Sequence, residues 1–242
     1  MRKALAFSFF ALGLTSLVAQ VLLIRELLIV FTGNEFFIGW TLAAWLLWTA
    51  LGAGLAGRLI GGEERGPHRL VGCHVGAALL LPAVIAFIRA GRTLLGSVPG
   101  VVPDLLPSLG YSLVALAPLC LVLGAQFVWG VRAWKQREGG TEPGTVQGRA
   151  YALETAGFVV GGLLFTYLFV FQDEFRTASG IGFLNVLAGF AICAGFRVRS
   201  LRLRLVLLLA LAAMVSAAIQ GVRIGRRTGE WRFPGQVLVD SR

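Results

Sequence analysis

Long apolar runs separated by short polar breaks dominate the chain. The first two cover residues 5–31 and 36–57, joined by the break TGNE at 32–35. Further runs follow at 70–88, 111–131, 151–171, 178–196 and 203–219. A helix crosses the hydrocarbon core of a bilayer with about 20 apolar residues, so each run is a candidate span. A water-soluble helix would place polar residues at every turn to keep one face wet. Here the first pair is interrupted only by Gln20, Arg25 and Glu26, and by Asn34 and Glu35 at the break. The pattern predicts an all-α integral membrane protein of about seven transmembrane helices over 1–220, followed by a basic tail at 221–242.

One stretch departs from this pattern. SVPGVVPDLLPSLG, residues 97–110, holds three prolines, two glycines and Asp104. Prolines argue against a straight helix, and irregular backbone at membrane depth survives only where protein shields it from lipid. An interfacial or re-entrant segment is therefore expected near 93–108. Small residues at four-residue spacing mark close helix packing. Ala53, Gly57 and Gly61 form one such row, and Gly157 and Gly161 another.

Composition agrees with a membrane class. Hydrophobic residues make up 57% of the 242 positions and charged residues only 14%, against about 25% in soluble domains. The net charge of +10 does not point to nucleic acid, because Lys and Arg sit in short segments between the runs, where they set orientation. With the N-terminus inside, 13 basic residues fall on the inner side and 8 on the outer. Five of those 8 lie in the tail, the discordant feature of a cytoplasmic N-terminus. Arg2 and Lys3 before an apolar run resemble a signal peptide, but the run continues to Phe31, so an uncleaved first helix is expected. Cys73, Cys120 and Cys193 are far apart within apolar runs and read as free, buried thiols.

Ionisable residues inside apolar runs are the candidates for function, because holding them there is expensive. Arg25 and Glu26 lie near the end of the first run, and Glu35 in the turn just beyond. Two carboxylates beside one guanidinium leave an excess negative charge that suits a cationic amine. Glu35 is the expected ligand, with Arg25–Glu26 as a structural pair. Glu154 is the second candidate, placed one turn into the fifth run beside the Gly157–Gly161 step. Gln126 and Asn185 read as inter-helix hydrogen-bonding groups. His74 is the single histidine within the runs, which disfavours a bis-histidine haem; no cofactor is expected.

GLTSLVAQVLLIRELLIVFTGNEFFIG followed by ALGAGLAGRL resembles the opening of the membrane module in bacterial fused spermidine-synthase-like proteins. GRAYALETAGFVVGGLLFTYLFV is similar to that family's Y-x-x-E-x-x-G-x-x-x-G-G segment, carried by Tyr151, Glu154, Gly157, Gly161 and Gly162. The resemblance implies a major-facilitator-like region in a bacterial inner membrane, joined to an aminopropyltransferase domain. FPGQVLVDSR looks like the lead-in to that domain, whose glycine-rich loop and acidic residues are missing here, so no catalysis by this chain is expected. A synthase domain after Arg242 would place the tail inside, against the basic count. Three functions stay open: a membrane anchor or regulatory module, a small transporter-like protein for polyamines or another cationic solute, and a structural subunit of a larger membrane complex.

Overall fold

The computed structural model describes residues 2–31, 35–59, 66–96, 104–138, 143–198 and 200–232. Its helices are α1 (Arg2–Val30), α2 (Phe36–Arg58), α3 (Gly66–Arg89), the single turn α4 (Gly91–Leu94), α5 (Leu105–Glu138), α6 (Pro143–Tyr167), α7 (Glu174–Gly195) and α8 (Leu201–Arg232). Seven of them, all but α4, are long and apolar enough to cross a membrane. The protein is thus an all-α, multi-pass membrane protein, and the seven helices match the seven apolar runs in order.

α8 runs on as helix to Arg232, into the stretch expected as a tail from 221, and two helix starts also differ from the sequence expectation. Residues 105–108, expected to be irregular, form the first turn of α5. Pro107 is harmless there, since the first turn has no intrahelical acceptor for its missing N–H. Residues 91–94 are helical as well, while 97–103 lie outside the described residues. The second of these starts is that of α6, at Pro143, about two turns before the apolar run at 151. Proline is favoured at a first helical position, and the polar GTVQGR stretch continues the helix. Glu154 consequently sits in the middle of its helix and not near an end.

The seven long helices form two layers. Half to three-fifths of the most apolar 18-residue stretch of α1, α3, α5 and α7 is buried, and these four make the centre. The shares for α2, α6 and α8 are only 28%, 22% and 17%. Each outer helix leans on an inner one: α2 on α5, α6 on α1, and α8 on α7 and α3. Small residues set two of these contacts. A β-carbon at Gly157 would strike the Phe10 carbonyl, one at Gly13 would strike that of Glu154, and Gly161 lies against Leu14. In the same way Gly52 meets the backbone of Leu121, and Gly124 that of Thr49 and Ala53. These are backbone-to-backbone approaches that only glycine permits. Gly57 faces open space instead, and Gly61 lies outside the described residues.

We call the end holding Arg2 the near end and the end holding the α1–α2 turn the far end. Indole N–H groups tie α2 to the far half of α5: Trp40 donates to the Leu109 carbonyl (3.2 Å) and Ser112 Oγ (3.0 Å), and Trp48 to the Leu113 carbonyl (2.9 Å). Aromatic rings gather at the far end, with Phe31 stacked on Phe37, Phe87 stacked on Tyr111, and the Tyr111 hydroxyl donating to the Phe87 carbonyl. At the near end Arg132 donates to the Ala56 and Gly57 carbonyls, closing the last turn of α2, and lies over the Trp129 ring with Arg69. Rings and guanidinium groups at both ends are what a bilayer interface favours.

Candidate ligand site

Three polar groups interrupt the apolar interior, and they differ in how fully they are satisfied. The first is centred on His74 of α3, the single histidine within the runs. Ser8 of α1 lies 2.7 Å from its Nε2, and the side-chain oxygen of Asn185 of α7 lies 2.9 Å from its Nδ1. Asn185 Nδ2 donates to the Ile181 carbonyl (3.0 Å) and to Thr15 Oγ1 (2.7 Å). Those two acceptors fix the amide, so its oxygen faces the imidazole and the proton belongs on Nδ1. Nε2 then accepts from the Ser8 hydroxyl. The Gln126 side-chain amide of α5 lies 3.1 Å from Nδ1, and with the proton there its oxygen, not its N–H, belongs towards the ring as acceptor. The network is neutral, and it joins all four inner helices.

The second group is ionic and sits at the far end. Glu26 is fully buried, and Arg89, at the end of α3, is 1% exposed. Arg89 donates Nε to one oxygen of Glu26 (3.0 Å) and Nη2 to the other (2.8 Å), the paired geometry that suits guanidinium and carboxylate. Nη2 also reaches Glu174 of α7 at 3.1 Å, and Nη1 donates to Thr228 Oγ1 of α8 at 2.8 Å. Arg25 lies 3.6 Å from the second oxygen of Glu174. The Phe175 ring lies beneath Arg89, 4.8 Å from its centroid. Two arginines thus meet two glutamates, and the cluster pins α1, α3, α7 and α8 together. Among these four groups the charges balance.

This arrangement revises the expectation for the first hairpin turn. Glu26 answers Arg89, which follows directly on the apolar run at 70–88, and Arg25 reaches across to Glu174. Glu35 is exposed, makes no side-chain cap for α2, and forms no ion pair among the described residues. Asp173, just outside the membrane-spanning part of α7, caps that helix by accepting from the Phe175 N–H at 2.9 Å and the Arg176 N–H at 3.3 Å. Burial raises its carboxyl above the usual aspartate range, and neighbouring Glu174 adds to this, against the two N–H groups and Arg89.

The third group is a cleft. The outer helices α2 and α6 stand on α5 and α1, and between them lies a space of about 490 Å³. Its floor is Leu12 and Ser16 of α1 with Leu123, Gly124 and Phe127 of α5. One wall is the α2 row Trp45, Thr49 and Ala53; the other is Tyr151, Glu154, Thr155 and Phe158 of α6. The α6 residues recur at three- and four-residue steps, so they share one face. Phe127 and Tyr151 touch across the near end, with ring centroids 4.7 Å apart. Glu154 is partly buried and no cation pairs with it among the described residues. Arg149, five residues earlier, pairs instead with Glu138 at the near end (3.4 Å).

Of the residues singled out by sequence, the structure therefore brings Ala53 and Glu154 to one cleft, with Gly157 and Gly161 on the α1–α6 contact behind it. Arg25 and Glu26 belong to the ionic cluster, and Glu35 to neither. A lone carboxylate among aromatic rings provides a place for a positive charge, by ion pairing and by the negative faces of the rings. It does not provide a metal site, since no group of three or more His, Cys, Asp or Glu stands together among the described residues. No family model, curated protein or solved structure matches the chain.

Proposed function

We propose that the chain is a membrane module that binds a cationic amine in the cleft between α2 and α6, with Glu154 as the counter-ion. The observation that carries this is a carboxylate at mid-helix, unpaired among the described residues, opening on a cavity walled by Trp45, Phe127, Tyr151 and Phe158. Intramembrane ionisable groups are retained at a cost, and one without a protein partner is by default a candidate ligand site. The similarity to spermidine-synthase-like membrane modules agrees with an amine ligand. In this proposal the near end, with its excess of basic residues, faces the cytoplasm.

The test is saturation binding of a radiolabelled amine to the purified full chain and to Glu154→Gln. Saturable binding by the parent that Glu154→Gln abolishes is the expected result. Binding that survives the substitution would move the site elsewhere. A second function, anchoring a soluble domain, rests on the resemblance alone and needs no occupied cleft.

A further inference from the structure

The shape and charge of the cleft say more about the ligand, provided that Glu154 is its counter-ion. Along α6, Tyr151, Glu154 and Phe158 span about 10 Å, with the carboxylate between two rings. Every other residue that lines the space is uncharged, and the only hydroxyl groups besides Tyr151 come from Ser16, Thr49 and Thr155. One carboxylate neutralises one positive charge. A polyamine would carry further ammonium groups into a site with no second acid, and each unneutralised charge in such surroundings is strongly penalised.

The opening points the same way. Leu46 is 67% exposed and Tyr151 59% exposed, and both lie along the cleft within the membrane-spanning lengths of α2 and α6. In a bilayer crossed by these helices, the rim beside Leu46, halfway along α2, faces hydrocarbon. Towards the near end the Phe127–Tyr151 contact bridges α5 and α6. A ligand with an apolar body can leave that body against Leu46, Phe158 and the surrounding lipid while its ammonium head meets Glu154. A neutral apolar molecule would leave the carboxylate unanswered, and a small hydrated metal ion would find one acidic ligand only.

We infer that the ligand class is an amphiphilic monoamine, a single ammonium group on an apolar body, reaching the cleft sideways from the bilayer between α2 and α6. Trp45, Tyr151 and Phe158 select the body and Glu154 selects the head.

Three probes decide this with the full chain in lipid nanodiscs: 4-phenylbutylamine, the neutral 4-phenylbutanol, and spermidine. The inference expects 4-phenylbutylamine to bind at least tenfold more tightly than either of the others, and Glu154→Gln to remove that preference. Tighter binding of spermidine would overturn the amphiphile while leaving the amine site standing. Equal binding of the amine and the alcohol would overturn both, leaving an apolar groove that holds lipid or a partner helix. No binding of any probe would also overturn both. The comparison of amine with alcohol uses the parent protein alone, so the outcome does not depend on the variant folding.

Discussion

Glu26 and Glu154 are both carboxylates within apolar helices, and the structure treats them in opposite ways. Glu26 is fully buried, and Arg89 grips both of its oxygens at 2.8 and 3.0 Å. Glu154 is partly buried, unpaired among the described residues, and turned towards a cleft. Position explains the difference. Glu26 stands on the innermost helix, where α3, α7 and α8 all converge, so its charge must be answered by protein. Glu154 stands on α6, one of the outer helices, whose other side has no neighbour among the described residues. A buried charge that is answered holds the fold together, and one that is left open is, in the proposed function, the one that meets a ligand.

Breaking the answered charge gives the largest expected effect. Arg89→Met leaves Glu26 buried without its partner, which costs about 3–5 kcal/mol in comparable pairs. Thermal unfolding in detergent should show a large loss, and adding Glu26→Gln should recover part of it, since the double variant buries no unmatched acid at that position. Full additivity of the two losses would contradict the pairing.

An intermediate loss is expected from the neutral network. His74→Leu removes the hub and leaves the Asn185 carbonyl oxygen and the Ser8 hydroxyl unsatisfied, at roughly 1–3 kcal/mol. The same unfolding measurement checks it, and amine binding at the cleft should stay unchanged, because none of those residues lines it.

The smallest effect belongs to Asp173. Its carboxyl is raised by burial, so the folded state favours the protonated acid. Its contribution to stability is therefore present at low pH and is lost as pH rises from the ordinary aspartate value through the raised one. Asp173→Asn keeps a cap for α7 and removes that titration, and above the window it should match or slightly exceed the parent, within about 0.5 kcal/mol. A pH series of unfolding temperatures reads the difference.

Much of the fold was legible because a membrane leaves a strong trace in sequence. An unbroken apolar run has few uses besides crossing a bilayer, and all seven runs became helices. The helix starts were harder. Pro107 and Pro143 look like breakers in sequence, yet each lies where a helix begins and no N–H is needed. Partners were harder still. Arg89 abuts the run at 70–88 and nothing in sequence assigns it a partner; only the meeting of α1, α3, α7 and α8 shows that it answers Glu26 and Glu174. One signal was available: Arg25, Glu26, Arg89 and Glu174 all fall near the same end of their helices once the runs are threaded alternately. His74, Gln126 and Asn185 gave no such signal, since their meeting depends on which helices are inner. Glu154 was identified from sequence as an intramembrane acid, but the cleft beside it arises from α2 and α6 standing apart.

The contrast between the two acids is tested most directly by unfolding the parent, Glu154→Gln and Glu26→Gln with and without 4-phenylbutylamine. A ligand that binds only the folded state adds about 2.7 kcal/mol at a hundred times its Kd. We predict that the amine stabilises the parent and Glu26→Gln but not Glu154→Gln. Without amine, Glu26→Gln should be markedly less stable than the parent, and Glu154→Gln nearly equal to it. The account is contradicted if Glu154→Gln gains as much from the amine as the parent, or loses as much without it as Glu26→Gln.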